Sequence, residues 1–155
     1  MRNTGTILQV SVSDGGVPKH AVAQAQVDHN GVEGDRQRDL RYHGGPDRAV
    51  CLMAAERIAA WAAEGHPIAP GSAGENITTL GLDWAEVVPG TRLRLGESVT
   101  LEITDYAQPC KKNQAWFKDG NFNRMNQRLH PGSSRVYARV LVPGTVRTGD
   151  PIATL

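Results

Sequence analysis

Most apolar residues of this chain fall in short segments with the spacing of β-strands. Residues 91–95 and 99–103 alternate between apolar and polar, and the turn between them contains Gly96, so they predict a β-hairpin. The continuous apolar run over residues 49–53 predicts a strand that is buried on both faces. Further strands are predicted over residues 6–12, 22–27 and 136–142.

Two segments have helical spacing instead. The first covers residues 54–64 and stops before Gly65, and the second covers residues 121–129. The apolar face of the first holds Ile58, Trp61 and Ala62, and that of the second holds Phe122, Met125 and Leu129. Because strands dominate, we expect a mainly β protein, a closed β-barrel with helical insertions, forming a single domain over residues 1–155.

Composition narrows the classes of function. The 155 residues include 17 basic and 16 acidic side chains, and a net charge of +1 argues against a general nucleic-acid partner. Two cysteines are too few for a disulfide framework or a four-cysteine zinc or iron–sulfur site. No apolar run approaches the length of about 18 residues that a membrane span needs, so we expect a cytoplasmic protein without a membrane partner.

Arginine and glycine are concentrated between residues 31 and 48. Guanidinium groups suit phosphates and carboxylates, and glycine lets backbone N–H groups approach an anion. The segment is therefore either an anion-binding loop or a solvated loop whose arginines pair with its own aspartates. Its arginines are Arg36, Arg38, Arg41 and Arg48, and its aspartates are Asp35, Asp39 and Asp47.

A second glycine-rich segment covers residues 70–76 and precedes a predicted strand. Glu75 and Asn76 at its end have side chains that can hydrogen-bond a polar heterocycle. A turn that enters a strand uses the same residue types, so both interpretations stay open.

The two cysteines have different surroundings. Cys51 lies within the apolar run, which predicts a buried and inert thiol. Cys110 follows a predicted strand and precedes Lys111 and Lys112, and nearby cations favour the thiolate, which is the nucleophile and metal ligand. A cysteine hydrolase would need a histidine base, for which His43 is the best candidate. The remaining histidines, His66 among them, are predicted to lie at the surface or in turns.

Taken together and in order, these segments resemble the MOSC family, the molybdenum cofactor sulfurase C-terminal domain. The matching segments are residues 31–36, 42–50, 70–76, 93–96, 109–110, 136–140, 143–144 and 149–150. The resemblance implies a closed β-barrel related to the pyruvate-kinase barrel domain, and a site for a molybdopterin-type molybdenum cofactor. It further implies that Cys110 is the catalytic residue and the thiolate ligand of molybdenum.

The roles of the other residues follow from the same resemblance. The cofactor's phosphate would be held by Arg36, Arg41 and Arg48 with the backbone of Gly44 and Gly45. Glu75 and Asn76 would meet its pterin edge, and Lys111 would assist phosphate binding. His43 and Asp47 are the remaining candidate cofactor-binding residues. The implied activity is an oxidoreductase that reduces a small N-hydroxylated molecule with electrons from a separate donor protein. The alternative is a sulfur-carrier or cofactor-delivery module, in which Cys110 carries a persulfide whose outer sulfur comes from a sulfur donor.

Overall fold

The computed structural model describes residues 2–36 and 45–155, so the predicted site residues Arg41, His43 and Gly44 lie outside the described residues. The described strands are β1 (Thr4–Val12), β2 (His20–Val22), β3 (Gln24–Asp28), β4 (Gly31–Val32), β5 (Val50–Ala54), β6 (Ile77–Leu80), β7 (Arg92–Leu95), β8 (Val99–Tyr106), β9 (Val136–Val142), β10 (Gly144–Arg147) and β11 (Pro151–Thr154). The α-helix α1 spans Ala55–Ala63, and short 3-10 helices span Pro46–Arg48, Trp84–Glu86, Lys111–Trp116 and Phe122–Met125. Within the described chain, no helix has both the length and the apolar character needed to cross a membrane.

Seven strands form a closed barrel, in the order β11-β7-β8-β9-β5-β6-β1, and the pairing of β1 with β11 closes it. The pair β5–β6 is parallel, and the other barrel pairs are antiparallel. Strand β2 extends the sheet from β1, while β10, β3 and β4 form a small second sheet. Closure leaves the barrel without unpaired edges. The mainly β fold and the closed barrel are confirmed.

The barrel interior follows the alternation of its strands. In the hairpin β7–β8, Leu93 pairs with Leu101 and Leu95 with Val99, and all four side chains are buried in the core. The polar neighbours on β7 point outward, where Arg92 pairs with a carboxylate of β8. The predicted hairpin is therefore present with its predicted inward face.

Strand β5 is buried along its whole length, as its apolar run predicted. Val50 and Leu52 belong to the barrel core, and Met53 belongs to a second apolar cluster outside the barrel. This second cluster also contains Ile58 and Trp61 of α1, so the helix covers the outer face of the strand.

The first predicted helix is present, with one difference on its buried face. Ala55, Ile58 and Trp61 are buried, whereas Ala62 is exposed. The buried residues are three positions apart because the large Ile58 and Trp61 side chains make the contacts with the core. Ala62, one position after Trp61, points away from that face. The prediction for Ala62 was wrong.

We had expected His66 to lie at the surface or in a turn. It is instead buried next to the same cluster. Its ring lies 5.3 Å from that of Phe117 in an edge-on arrangement, and its Nδ1 accepts a hydrogen bond from the backbone of Lys118. Phe117 also meets Trp61 edge-on at 5.3 Å. The histidine therefore joins α1 to the chain that follows Cys110.

The second predicted helix is reduced to one short 3-10 turn, Phe122–Met125. Met125 is fully buried, but Leu129 is 58% exposed. The Asn126 side-chain oxygen accepts hydrogen bonds from the backbone N–H groups of Arg128 and Leu129, so it forms a turn that competes with helix continuation. Helical spacing alone did not reveal this competition.

Candidate functional site

A cleft opens where five connecting segments meet. These segments leave β1, leave β4, enter β6, leave β8 and enter β9. The cleft contains about 620 Å³ of free space, part of it open to solvent. It is lined by Gly16, Val17, Lys19, Arg36, Cys51, Ala73, Gly74, Gln108, Cys110, Lys112, Asn113, Arg135 and Tyr137.

Cys110 lies on the wall of this cleft and is half-buried. It precedes the 3-10 helix Lys111–Trp116, and its side chain accepts a hydrogen bond from the backbone N–H of Asn113. The Asn113 side chain in turn accepts from the Cys110 backbone N–H at 3.3 Å and donates to the Ala73 carbonyl at 3.2 Å. The thiol is thus held in a fixed position between the segment after β8 and the segment before β6.

The two lysines that follow Cys110 are not equivalent. Lys112 lines the cleft, whereas Lys111 is exposed and does not line it. The role predicted for Lys111 stays a prediction, and the structure adds Lys112 as a cation close to Cys110.

The glycine-rich segment 70–76 packs directly on the chain that leaves β1. The backbone N–H of Lys19 donates to the Gly71 carbonyl at 2.9 Å. Gly71 has a φ of +85°, and a Cβ atom there would lie 2.6 Å from the Lys19 carbonyl oxygen. Only glycine permits this close approach, which places Ala73 and Gly74 on the wall of the cleft.

A buried ion pair lies at the wall of the cleft, where Lys19 is a lining residue and Asp35 is not. Lys19 Nζ is 2.6 Å and 2.7 Å from the two oxygens of Asp35, and both side chains are almost fully buried. Asp35 also accepts hydrogen bonds from the Ser13 backbone at 2.9 Å and from Asn76 Nδ2 at 2.9 Å. The ion pair connects the loop after β1, the segment after β4 and the start of β6.

Asn76 uses its side chain within the protein. Its Oδ1 accepts from the Cys51 backbone N–H at 3.0 Å, and its Nδ2 donates to the Ser11 carbonyl as well as to Asp35. Asn76 does not line the cleft, so its predicted contact with a pterin edge stays a prediction. What the geometry shows is a fully engaged amide that positions the backbone of Cys51.

Glu75 is fully buried and also lies outside the cleft lining. Its Oε2 accepts hydrogen bonds from the Gly71 backbone and from Thr78 Oγ1, while Oε1 has no partner among the described residues. Burial raises the pKa of this carboxyl and so favours its neutral form. Its predicted contact with a cofactor likewise stays a prediction.

The raised pKa of Glu75 makes the free energy of unfolding depend on pH. Between the unfolded-state pKa of about 4.3 and the higher folded-state pKa, the folded protein binds more protons, so stability falls as pH rises. Glu75→Gln, which cannot ionise, is expected to remove this decline. Urea unfolding from about pH 4.5 to 8 would measure it, with the exposed Glu97→Gln as control. Parallel curves for wild type and Glu75→Gln would contradict the expectation.

Gly45, Asp47 and Arg48 are not among the residues that line the cleft, and their surroundings differ. Gly45 is exposed, and Asp47 points toward Arg139 on β9, with 3.8 Å between the charged atoms. Arg48 places its guanidinium carbon 5.4 Å from the ring centre of Tyr137, which lines the cleft. Of these three, Arg48 therefore has a direct link to the cleft, and the cofactor-binding roles of all three stay predictions.

Cys51 is 5% exposed and packs with Ala107 and Tyr137, as expected for a buried thiol, but its position also lines the cleft. Burial raises the pKa of Cys51 to about 11 and that of Tyr137 to about 12. Both groups are therefore neutral at physiological pH. The buried thiol is an uncharged wall of the cleft and not a second thiolate.

This difference between the thiols predicts selective alkylation. With a pKa of about 11, roughly one Cys51 thiol in a thousand is ionised at about pH 8, and its burial excludes reagents. Iodoacetamide is expected to modify Cys110 in the native protein and Cys51 only after unfolding. Peptide mass spectrometry over a time course would measure both rates, and similar native rates would contradict the prediction.

Several residues of the cleft were not anticipated from the sequence. Lys19 follows a proline in a polar loop, and Arg135 ends a short polar run before β9, so neither belongs to a motif. The available signal was position alone, since polar residues at the ends of buried strands lie where binding sites form. Asn113 and Tyr137 gave no local signal that separated them from structural residues.

A profile of the MOSC domain matches residues 39–153. The chain is 37% identical to the uncharacterized protein YflK of Bacillus subtilis over 118 residues, which are 76% of this chain and 52% of YflK. It is 32% identical to the protein YiiM of Escherichia coli over 143 residues, covering 85% of this chain and 62% of YiiM. It is 31% identical to a reductase of Gibberella moniliformis over 129 residues, or 81% of this chain and 22% of the reductase.

The fold agrees with these relationships. The crystal structure of Escherichia coli YiiM superposes on the whole chain with a TM-score of 0.71 and 27% identity, and the match covers 70% of that structure. The chain spans between half and two thirds of the length of YflK and YiiM. With the profile match over most of its length, and with relatives above 30% identity, the chain belongs to the MOSC domain family.

Proposed function

We propose that this protein is an oxidoreductase that binds a molybdopterin-type molybdenum cofactor in the cleft and reduces a small N-hydroxylated molecule. The observation that carries the proposal is the position of Cys110, a fixed and half-buried thiol on the wall of a partly open cleft. Membership of the MOSC family and the similarity to a protein named as a reductase support it.

The donor set of the cleft suits such a cofactor. A cysteine thiolate is a soft ligand for transition metals, and Cys110 is the thiol that would hold molybdenum. Arg36, Lys112 and Arg135 line the same cleft, and none of the described lining residues is acidic. Lys19 also lines it, but its charge is paired with Asp35. The cleft therefore offers cations to a group that carries a phosphate.

When bound, the cofactor supplies two-electron redox chemistry. The chain's own contribution is positional. Asn113 fixes Cys110 by hydrogen bonds at both its backbone and its sulfur. The neutral Cys51 thiol and the Tyr137 ring cover the inner wall, so they limit the access of water without offering a competing charged ligand.

We further propose that electrons reach the site from a separate donor protein. The two cysteines of this chain, which both line the cleft, are too few to hold a four-cysteine electron-carrying cluster. The partly open cleft gives both a small substrate and a donor access to Cys110.

The test is the metal content of the purified protein. The chain would be expressed in a host that makes the cofactor, and molybdenum would be measured by elemental analysis together with reduction of an N-hydroxylated base by a chemical reductant. Near-stoichiometric molybdenum with turnover supports the proposal. A protein without molybdenum, carrying a labile added sulfur on Cys110 by mass spectrometry, would overturn it in favour of the sulfur-carrier alternative.

A further inference from the structure

Positive charge is concentrated in the segment that contains Cys110. Residues 108–131 hold five of the 17 basic residues and one of the 16 acidic residues, although the whole chain has a net charge of +1. The single acid of the segment, Asp119, is bound by Arg124 through two contacts of 2.6 Å, so this pair adds no net charge. The segment is therefore cationic, while the rest of the chain is acidic on balance.

The other four cations of this segment have different surroundings. Lys118 Nζ donates to the Glu64 carbonyl at 3.0 Å, at the end of α1, and Lys112 lines the cleft. Lys111 and Arg128 are exposed and lie outside the cleft lining. Neither of them is in a salt bridge among the residues that the structure describes. These two side chains therefore present positive charge to solvent.

A fixed turn connects Arg128 to the rim of the cleft. The Asn126 side-chain oxygen accepts hydrogen bonds from the backbone N–H groups of Arg128 and Leu129, at 2.9 Å and 3.2 Å. The Nδ2 of Asn126 donates to Gln108 Oε1 at 3.4 Å. Gln108 lines the cleft, two residues before Cys110. The turn is therefore held beside the wall of the cleft that carries the thiol.

Leu129 is the apolar residue of this turn, and its side chain is 58% exposed. It lies between Arg128 and His130, which are both exposed. A single exposed leucine is ordinary on a protein surface. An exposed leucine on a fixed turn, with cations on both sides of the thiol-bearing segment, has the composition of a protein interface, in which an apolar centre is surrounded by polar residues.

We infer that Lys111, Arg128, Leu129 and His130, here termed the basic face, form the docking surface for an acidic electron-donor protein. The inference rests on the proposed function, which requires such a donor. Carboxylates on the donor would be steered toward the two unpaired cations, and opposite charges on two partners raise the rate of encounter. Because Lys111 directly follows Cys110, a protein docked on this face also lies close to the site that needs the electrons.

The position of the basic face suits a protein better than a small anion. All four of its residues lie outside the cleft lining, so a small molecule bound in the cleft does not cover them. The reaction also fixes what the donor supplies. Reducing an N-hydroxyl group breaks the N–O bond, forms an N–H bond and releases water, which consumes two electrons and two protons. Two reduced one-electron carriers would supply the electrons, and solvent would supply the protons.

The first test is binding of a plant-type ferredoxin, an acidic one-electron carrier, to the full chain. Affinity is expected to fall as the salt concentration rises, because screening weakens attraction between surface charges. Arg128→Glu is expected to weaken binding by about tenfold or more. The backbone N–H of residue 128, which Asn126 binds, remains in this variant, so the turn should persist. Thermal unfolding would check this.

Matched controls separate the basic face from charge and apolar area elsewhere. Arg94→Glu makes the same charge change at an exposed position of β7 and should bind as wild type does. Leu129→Ser is expected to weaken binding several-fold, whereas Leu155→Ser, at a leucine that is 57% exposed, should not. Absence of ferredoxin binding, or equal losses for Arg128→Glu and Arg94→Glu, would overturn the inference. Tighter binding of a single-stranded RNA at the same residues would overturn the assignment to a protein partner.

Turnover of molybdenum-loaded protein distinguishes a failure of this inference from a failure of the proposed function. Reduced methyl viologen is small and cationic, so it has no use for the basic face. We expect viologen-driven turnover to be equal in wild type and Arg128→Glu, and ferredoxin-driven turnover at low salt to fall about tenfold in the variant. Equal ferredoxin-driven rates, with viologen turnover intact, would overturn the docking surface alone. Absence of turnover with both reductants would overturn the proposed function and the donor role with it.

Discussion

Cys110→Ala is expected to yield protein without molybdenum, whereas Cys51→Ala is expected to retain it. The two thiols line one cleft, but Cys110 is half-buried and accessible, while the pKa of Cys51 is raised to about 11 by burial. A metal ligand must be deprotonated, and the cost of ionising a buried thiol disfavours Cys51. Elemental analysis of the two variants, purified in parallel from a host that makes the cofactor, measures the difference.

The pair is well matched because both substitutions remove one sulfur from the same cleft. Cys110→Ser provides a further control, since it preserves the size of the side chain but not the soft ligand. Thermal unfolding should show that all variants are folded. Equal molybdenum in Cys110→Ala and wild type would contradict the ligand assignment, and loss only in Cys51→Ala would transfer it to the buried thiol.

Asp35→Ala is expected to lower the free energy of unfolding by about 3–5 kcal/mol, because it leaves the buried Lys19 ammonium without its carboxylate. The same substitution removes acceptors for the Ser13 backbone and for Asn76. Asn76 in turn positions the backbone of Cys51, so the substitution is also expected to disturb the wall of the cleft. Urea unfolding with a two-state analysis measures the change.

Two comparisons test the cause of this loss. Arg92→Ala breaks an exposed pair with Glu102 on the barrel surface, and its cost is expected to stay below about 1 kcal/mol. The double variant Lys19→Met/Asp35→Leu removes both buried charges and should recover much of the lost stability. A loss for Asp35→Ala no larger than that for Arg92→Ala would show that the buried ion pair does not support the fold.

The strands were predictable because their information is local. Alternation over residues 91–95 and 99–103 requires one face to be apolar, and the hairpin β7–β8 has that face inside the barrel. The apolar run at 49–53 likewise corresponds to β5, covered on both sides. The helix predicted over residues 121–129 is not formed because the Asn126 side chain accepts hydrogen bonds from the backbone N–H groups of Arg128 and Leu129. Hydrophobic periodicity does not reveal such a competing turn.

The site was predictable only in part. Local charge distinguished Cys110 from Cys51, and the structure agrees that one is accessible and the other buried. Asn76 and Glu75 were recognised as important polar residues, but their oxygens and nitrogens face Cys51, Asp35 and Gly71 and not the cleft. A sequence states which groups are polar, but the direction in which each group points depends on partners far along the chain.

The sequence by itself determined the β-rich pattern, the family and the difference between the two cysteines, because side-chain period, motif order and neighbouring charge are properties of short segments. Only the tertiary structure decided which cations meet Cys110. Folding brings Arg36, Lys112 and Arg135 together from three distant segments. It also buries Lys19 against Asp35, which removes that lysine from the set. Which cations lie beside Cys110 depends on long-range packing and desolvation, and these act only once the strands have paired.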